Sequence, residues 1–265
     1  MFGKGFSKAK QHWCIVLYPL LFDWLTILIA TVTVGITMSR SFATDFAIGP
    51  QLPTVEGLLT ETNSLLMNYE AFAQEMNGGW LMMAVFLIYL IIAVFIEGGY
   101  YYLIWRGING ESVDVRTFLS GARKFWLRFF LLGLLVMFLV FVAGFAGLLL
   151  MHYFATFGFV LTLIVIVLVR VVMIYLEFVL VTEDTWVIES IDRAYHLFKA
   201  SKLSDVIGFA LLMGATSAAF GLALNLIAEP WLLPVAAPVV IFVLTGFLFT
   251  LMFMMDDARM RLQKA

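Results

Sequence analysis

Residues 157–181 read FGFVLTLIVIVLVRVVMIYLEFVLV, an apolar stretch with only two charged side chains, Arg170 and Glu177. A bilayer hydrocarbon core about 30 Å thick is crossed by roughly 20 apolar residues in helical conformation, and this stretch is longer. Because lipid tails cannot hydrogen-bond exposed backbone groups, a spanning segment of this kind must be a helix. The sequence therefore predicts a transmembrane helix at residues 157–181.

The rest of the chain repeats this pattern, since 63% of the 265 residues are hydrophobic and only 13% are charged. Such a composition is far more apolar than that of a soluble domain, and nothing alternates like a membrane barrel strand. Six stretches are long and apolar enough to cross a bilayer: residues 13–38, 80–105, 129–150, 157–181, 206–228 and 231–255. We predict one all-α membrane domain, residues 1–265, with six transmembrane helices arranged as three helical hairpins.

The first apolar stretch follows three lysines, Lys4, Lys8 and Lys10, as the core of a cleaved signal peptide would. A signal-peptide core is usually about 7–15 residues long. This stretch continues from Trp13 past Gly35, so we expect a retained transmembrane helix.

The basic residues predict the orientation of the spans. All Lys and Arg residues except Arg40 and Arg170 lie before the first span, after the sixth, or in the second and fourth connections. Positive charge accumulates on the cytoplasmic side, so both termini are predicted to be cytoplasmic. The outer loop, residues 39–79, instead carries Asp45, Glu56, Glu61, Glu70 and Glu75. Membrane lipids are expected partners, whereas nucleic-acid binding is not indicated.

Acidic residues suggest an internal repeat. Glu97, Glu177 and Asp256 recur at intervals of about 80 residues, each near the end of an apolar stretch. The motifs Glu111–Asp114 and Glu189–Asp192, ESVD and ESID, precede the third and fifth spans at a similar offset. We therefore predict a repeated two-helix unit.

Three amphipathic segments are predicted to lie outside the bilayer core. Residues 185–202 and 113–124 alternate apolar and charged side chains at helical spacing, which is typical of helices at the cytoplasmic interface. In the outer loop, apolar residues recur at three- and four-residue steps over residues 54–76. This last helix is predicted to cap the bundle, either through packing alone or by contacting a partner or substrate.

Charged residues inside the spans are the main candidate site. Arg170 and Asp23 are expected at matching depths, roughly 15 Å from the cytoplasmic ends of their spans at 1.5 Å per residue, and this depth allows an Asp23–Arg170 ion pair. Glu97 is the competing partner, and Glu177 lies on the same helical face as Arg170. These four residues form either a structural clamp or a polar cavity that binds an anionic or zwitterionic group.

Common catalytic and metal-binding motifs are missing from the sequence. It contains no His-Glu-x-x-His, Gly-x-Ser-x-Gly or P-loop pattern. Its one cysteine, Cys14, allows neither an intramolecular disulfide nor a cysteine metal cluster. We expect no catalytic residues, no metal site, no cofactor and no enzymatic activity.

The segment Glu183–Lys199, EDTWVIESIDRAYHLFK, resembles part of a broad group of prokaryotic six-span proteins. This group includes the membrane domain attached to some glycerophosphodiester phosphodiesterases and related uncharacterised families. In it, an acidic stretch after the fourth span is followed by a surface helix before the fifth. The resemblance covers about the last two-thirds of the chain and implies a six-span fold. The catalytic domain of those phosphodiesterases is not among the 265 residues, so no hydrolase activity is implied.

Two functions remain open from the sequence. The first is a non-enzymatic protein of a prokaryotic plasma membrane that acts as a scaffold or accessory subunit in envelope or export functions, with a protein partner in a membrane complex. The second is a small transporter, or a lipid- or anion-binding membrane protein, that uses Asp23, Glu97, Arg170 and Glu177.

Overall fold

The computed structural model describes residues 1–33, 38–42, 50–60, 79–154 and 156–264. Within these ranges lie nine α-helices and two short 3₁₀ turns. The helices are α1 (Phe2–Gln11), α2 (Leu17–Thr33), α3 (Gly79–Ile108), α4 (Val115–Phe154), α5 (Thr156–Val172), α6 (Leu176–Thr182), α7 (Val187–Ala200), α8 (Leu203–Ile227) and α9 (Leu232–Leu262). Six helical segments are long and apolar enough to cross a membrane, which confirms the predicted all-α six-span class.

The last helix, α9, lies at the centre of the bundle and contacts α1, α2, α3, α7 and α8. Every residue from Leu244 to Met252 is buried. A helix that is apolar on all sides is typical of such a central position. One polar contact joins it to α3, a hydrogen bond of 2.8 Å between the hydroxyl groups of Tyr100 and Thr245.

The N-terminal helix α1 was not predicted from the sequence. It packs against α9, where the Phe6 ring meets Phe247 edge-on at 5.7 Å between ring centroids. Lys8 Nζ donates a hydrogen bond of 3.3 Å to the carbonyl oxygen of Gly107, at the end of α3. These contacts place the N terminus at the same end of the bundle as the last turns of α3.

The first span is less regular than predicted. Trp13–Val16 forms a 3₁₀ turn, and α2 begins only at Leu17. Pro19 lies in the first turn of α2, where a missing backbone N–H is tolerated because it would have no helical partner. The helix is described as far as Thr33, and Met38, the predicted end of the span, is not helical.

The short surface helix predicted at residues 113–124 is not a separate element, because α4 runs without a break from Val115 to Phe154. Asp114 caps its start, with Oδ1 accepting a hydrogen bond of 2.7 Å from the Thr117 N–H. Continuity follows from buried residues at helical spacing on the side that faces α3: Phe118, Gly121, Ala122, Phe125 and Phe129. The other predicted amphipathic helix, residues 185–202, is confirmed as the helix α7, which Ser201 and Lys202 separate from α8.

The fourth span, predicted as one helix over residues 157–181, is divided into α5 and α6. Met173–Tyr175 form a turn between them. Its backbone bonds run over three residues, from the Ile174 N–H to the Val171 carbonyl and from the Leu176 N–H to the Met173 carbonyl. The turn contains neither glycine nor proline, so composition carried no signal for it.

The helix predicted in the outer loop, residues 54–76, is not formed in its described part. Residues 54–60 contain only a 3₁₀ turn, Glu56–Leu58, after which Leu59 is extended. Residues 61–76 lie outside the described part of the chain.

Helix pairing shows one predicted hairpin clearly. In α4 and α5, a Cβ placed on Gly147 would lie 3.0 Å from the Thr162 methyl group, and one on Gly158 would clash with the Leu150 backbone. The most extensive pairing, however, joins α3 to α4. The internal repeat remains a prediction, and the corresponding units differ because α4 is continuous whereas α7 and α8 are separate.

We expect Gly121→Ala to destabilise the protein and Gly144→Ala to leave it unchanged or slightly more stable. A Cβ at Gly121 would lie 2.5 Å from the Tyr102 Cβ, whereas one at Gly144 meets nothing within 4 Å. Alanine in place of an unconstrained helical glycine stabilises by roughly 0.5–1 kcal/mol. Thermal unfolding of both variants in detergent would test the α3–α4 packing. Equal melting temperatures of the two variants would contradict this packing.

Candidate functional site

The buried polar residues of three spans converge on one non-helical segment, Pro50–Thr60. Val55, Leu58 and Leu59 within it are at most 2% exposed. Non-helical backbone at membrane depth is tolerated only where protein or a water-filled cavity satisfies its polar groups. The hydrogen-bond partners of this segment therefore define what the buried polar residues do.

Asp23 of α2 holds the middle of the segment. Its side chain is 2% exposed, and Oδ2 accepts a hydrogen bond of 2.6 Å from the Val55 N–H. The Asp23–Arg170 ion pair that depth allows is not formed: Asp23 binds the Val55 backbone, and Arg170 pairs with Glu177. Matching depth along two helices did not determine whether the two side chains face each other.

Asn225 of α8 holds the end of the segment. It is fully buried, and its Oδ1 accepts hydrogen bonds from the Thr60 N–H at 3.3 Å and the Thr60 hydroxyl at 3.2 Å. Its Nδ2 donates to the Leu58 carbonyl at 3.1 Å and to the Gly221 carbonyl at 2.8 Å. The carboxamide thus serves donors and acceptors of a segment far away in sequence.

Arg170 of α5 holds the start of the segment and closes an ion pair. Nη2 donates to the carbonyl oxygen of Pro50, and Nη1 lies 2.6 Å from Glu177 Oε1. Glu177 belongs to α6, so the ion pair bridges the turn between α5 and α6. The predicted proximity of Arg170 and Glu177 is confirmed.

These contacts place the two ends of Pro50–Thr60 at different depths of the bundle. Ser41 donates its N–H to the Asn225 carbonyl at 3.1 Å, and Thr60 binds the Asn225 side chain. Asn225 lies close to the end of α8, whereas Arg170 lies about 21 Å along α5 from its first residue at 1.5 Å per residue. Ser41 and Thr60 therefore lie near the end of the bundle marked by Asn225, whereas Pro50 lies deeper, beside Arg170.

A second group of buried polar atoms surrounds the Arg170–Glu177 pair. Glu97 of α3 is half-buried and interacts electrostatically with Glu177 and Arg170. Tyr101, one turn after Glu97, is fully buried between Phe129 and Phe178. Within the described residues, Tyr101 Oη and Glu177 Oε2 are buried without a hydrogen-bond partner.

The charges of this group do not favour an anion. Two carboxyl groups, Glu97 and Glu177, accompany a single guanidinium, and that guanidinium is already engaged by Glu177 and Pro50. A phosphate or carboxylate would have to displace Glu177 before Arg170 could bind it in a bidentate manner. The arrangement therefore supports the structural clamp better than the anion-binding cavity.

The opposite, basic end of the bundle carries a separate ionic network around the connection between α6 and α7. Asp184, at φ 57°, forms two ion pairs with α4. Its Oδ1 lies 2.6 Å from Arg128 Nη1, and its Oδ2 lies 2.7 Å from Lys124 Nζ. The hydrogen bond from Lys124, reinforced by Arg128, lowers the pKa of Asp184. Arg259 of α9 lies 3.2 Å from Glu183. The network fastens the α6–α7 connection to two other helices.

Comparison with protein families, with curated proteins and with solved structures gives no match to this chain. The resemblance to the membrane domain of glycerophosphodiester phosphodiesterases therefore remains a prediction. Sequence reasoning missed Pro50, Tyr101 and Asn225. The one available signal was the pair Pro50 and Pro53, which disfavours regular structure at the start of the segment.

We expect Arg170→Met to lower the melting temperature strongly, because it leaves Glu177 as an unpaired buried acid. Removing one partner of a buried ion pair costs roughly 3–5 kcal/mol. Adding Glu177→Met should restore part of the loss, but not all, because the Pro50 carbonyl still lacks its donor. The measurement is thermal unfolding of the single and double variants in detergent.

Arg261→Met is the matched control, since Arg261 pairs with Asp257 at 2.5 Å but is partly exposed near the C terminus. Exposed ion pairs contribute roughly 0–1 kcal/mol, so this variant should unfold almost as the wild type does. Equal behaviour of Arg170→Met and Arg261→Met would contradict the clamp.

Proposed function

We propose that this chain is a non-enzymatic protein of a prokaryotic plasma membrane, with both termini cytoplasmic, that acts as a scaffold or accessory subunit in envelope or export functions. The observation that carries the proposal is the use of Asp23, Arg170 and Asn225 to hold Pro50–Thr60 inside the bundle. The buried polar side chains of three spans thus stabilise the fold. We infer that the protein acts through the surfaces that this fold presents to its partners.

The α4–α5 hairpin supplies the surface for a partner. Only 6% of the most apolar part of α4 is buried inside the protein, compared with 56% of the corresponding part of α9. Its exposed side chains include large apolar groups: Phe138, Phe141, Phe145, Leu148, Phe154 and Phe157. Such a hairpin presents its outer sides to lipid or to the transmembrane helix of a partner protein.

Site-specific photocrosslinking in native membranes tests this proposal. A photoreactive phenylalanine analogue at Phe141, which is 73% exposed on α4, should give one discrete protein adduct. The same analogue at Leu211, 68% exposed on α8, is the control and should crosslink to lipid. Lipid adducts alone at both positions would overturn the hairpin as a partner surface.

A transporter or ligand-binding protein is the second candidate, and one observation favours it. Tyr101 Oη and Glu177 Oε2 are buried without a hydrogen-bond partner in the described part of the chain, close to Glu97 and Arg170. Buried polar atoms are usually hydrogen-bonded. A bound solute would supply the partner.

Tyr101→Phe separates the two candidates. A buried hydroxyl without a partner costs roughly 1–3 kcal/mol, so under the scaffold proposal Tyr101→Phe should unfold at the wild-type temperature or above it. Tyr100→Phe, the control, loses the bond to Thr245 and should unfold earlier. The melting temperatures of the wild type and Tyr101→Phe are then measured with added sodium ions, potassium ions, phosphate or phosphatidylglycerol. An additive that stabilises the wild type but not Tyr101→Phe would favour the second candidate.

A further inference from the structure

The first three turns of α4 carry a basic groove on their outward side. The groove is open, has a volume of about 760 Å³, and is lined by Val115, Arg116, Leu119, Ser120, Arg123 and Lys124. It therefore combines three cations and one hydroxyl with two aliphatic side chains.

The opposite side of the same turns is fixed against α3, so the groove is held in place. Phe118 and Gly121 are buried, and a Cβ on Gly121 would clash with the Tyr102 ring. A Cβ on Gly99 of α3 would likewise lie 2.7 Å from the Phe118 ring. Arg116, Ser120 and Arg123 follow one another at four- and three-residue steps, which places them on one exposed face.

Two of the three cations have no ion-pair partner in the described residues. Lys124 is bound to Asp184, which Arg128 also contacts. Arg116 and Arg123 form no ion pair with any described carboxylate. Asp114, the acid near Arg116, accepts a hydrogen bond from the Thr117 N–H and interacts with Arg116 electrostatically without forming an ion pair. The guanidinium groups of Arg116 and Arg123 are thus available to an external anion.

The residues that follow place the groove at the lipid headgroup level. Trp126, Leu127 and Leu131 are exposed, and from Leu131 to Met151 every exposed side chain of the helix is apolar. Tryptophan at this point is typical of the membrane–water boundary. An amphiphile bound here would have its polar group among the cations and its acyl chains along Leu127 and Leu131.

We infer that the groove binds the headgroup of an anionic phospholipid. Arg116 and Arg123 bind its phosphate through paired N–H donors, a geometry that guanidinium groups offer and ammonium groups do not. The Ser120 hydroxyl donates a further hydrogen bond. This site is independent of the buried cluster and of the hairpin as a partner surface.

Native mass spectrometry of the detergent-purified full chain tests the inference with two lipids of identical acyl chains, phosphatidylglycerol and phosphatidylcholine. The wild type should retain phosphatidylglycerol in preference to phosphatidylcholine. Arg116→Gln/Arg123→Gln should weaken phosphatidylglycerol binding roughly tenfold or more, the factor that corresponds to about 1.4 kcal/mol. Because both arginines are exposed, the melting temperature without lipid should not change.

Lys10→Gln/Lys264→Gln is the matched control, since it removes the same charge from exposed residues outside the groove. It should bind phosphatidylglycerol as the wild type does. Arg116→Lys/Arg123→Lys keeps the charge but loses the paired donors, and its affinity should fall between those of the wild type and the glutamine variant.

Three results would overturn the inference. One is an equal loss of binding in the control variant, which would mean general attraction to positive charge. Another is undiminished phosphatidylglycerol binding by Arg116→Gln/Arg123→Gln. The third is displacement of the lipid by millimolar inorganic phosphate, which would identify a soluble anion as the occupant.

Discussion

The requirement that every backbone polar group inside a bilayer find a partner governs this structure. Helices meet it internally, but Pro50–Thr60, which reaches the depth of Arg170, has only one 3₁₀ turn. One side chain from each of α2, α5 and α8 supplies partners for backbone groups of Val55, Pro50, Leu58 and Thr60. An aspartate accepts from an N–H, an arginine donates to a carbonyl, and an asparagine does both. The chemistry of each residue thus matches the group that it serves.

The six spans could be predicted from the sequence because each is a long apolar stretch, and lipid permits only one conformation for such a stretch. Their interruptions could not. The turn at Met173–Tyr175 has no glycine or proline, and the continuity of α4 depends on packing against α3. Residues 113–124 have the periodicity of an interfacial helix, but their apolar side packs against α3, and residues 115–124 form the start of the longer helix α4.

Most of the candidate site depended on contacts that sequence spacing does not encode. Depth along a span could be estimated for Asp23 and Arg170, but rotation about the helix axis could not, so the choice between their partners stayed open. Arg170 and Glu177 are close in sequence, and their contact could be foreseen. Asn225 and Thr60 are separated by 165 positions, and nothing local links them. The surface position of the charged residues at the basic end was easier to predict, since a high density of charged side chains indicates a surface.

The length of α4 has its own consequence. The apolar part from Phe129 to Met151 extends for about 34 Å at 1.5 Å per residue, whereas a typical hydrocarbon core measures about 30 Å. Its first turns are fixed to α3, which limits the freedom of this helix to tilt by itself. Hydrophobic mismatch of this size is relieved by tilting the whole protein or by stretching nearby acyl chains. A thick, ordered bilayer would therefore accommodate this chain more readily than a thin one, and regions of different thickness would sort it accordingly.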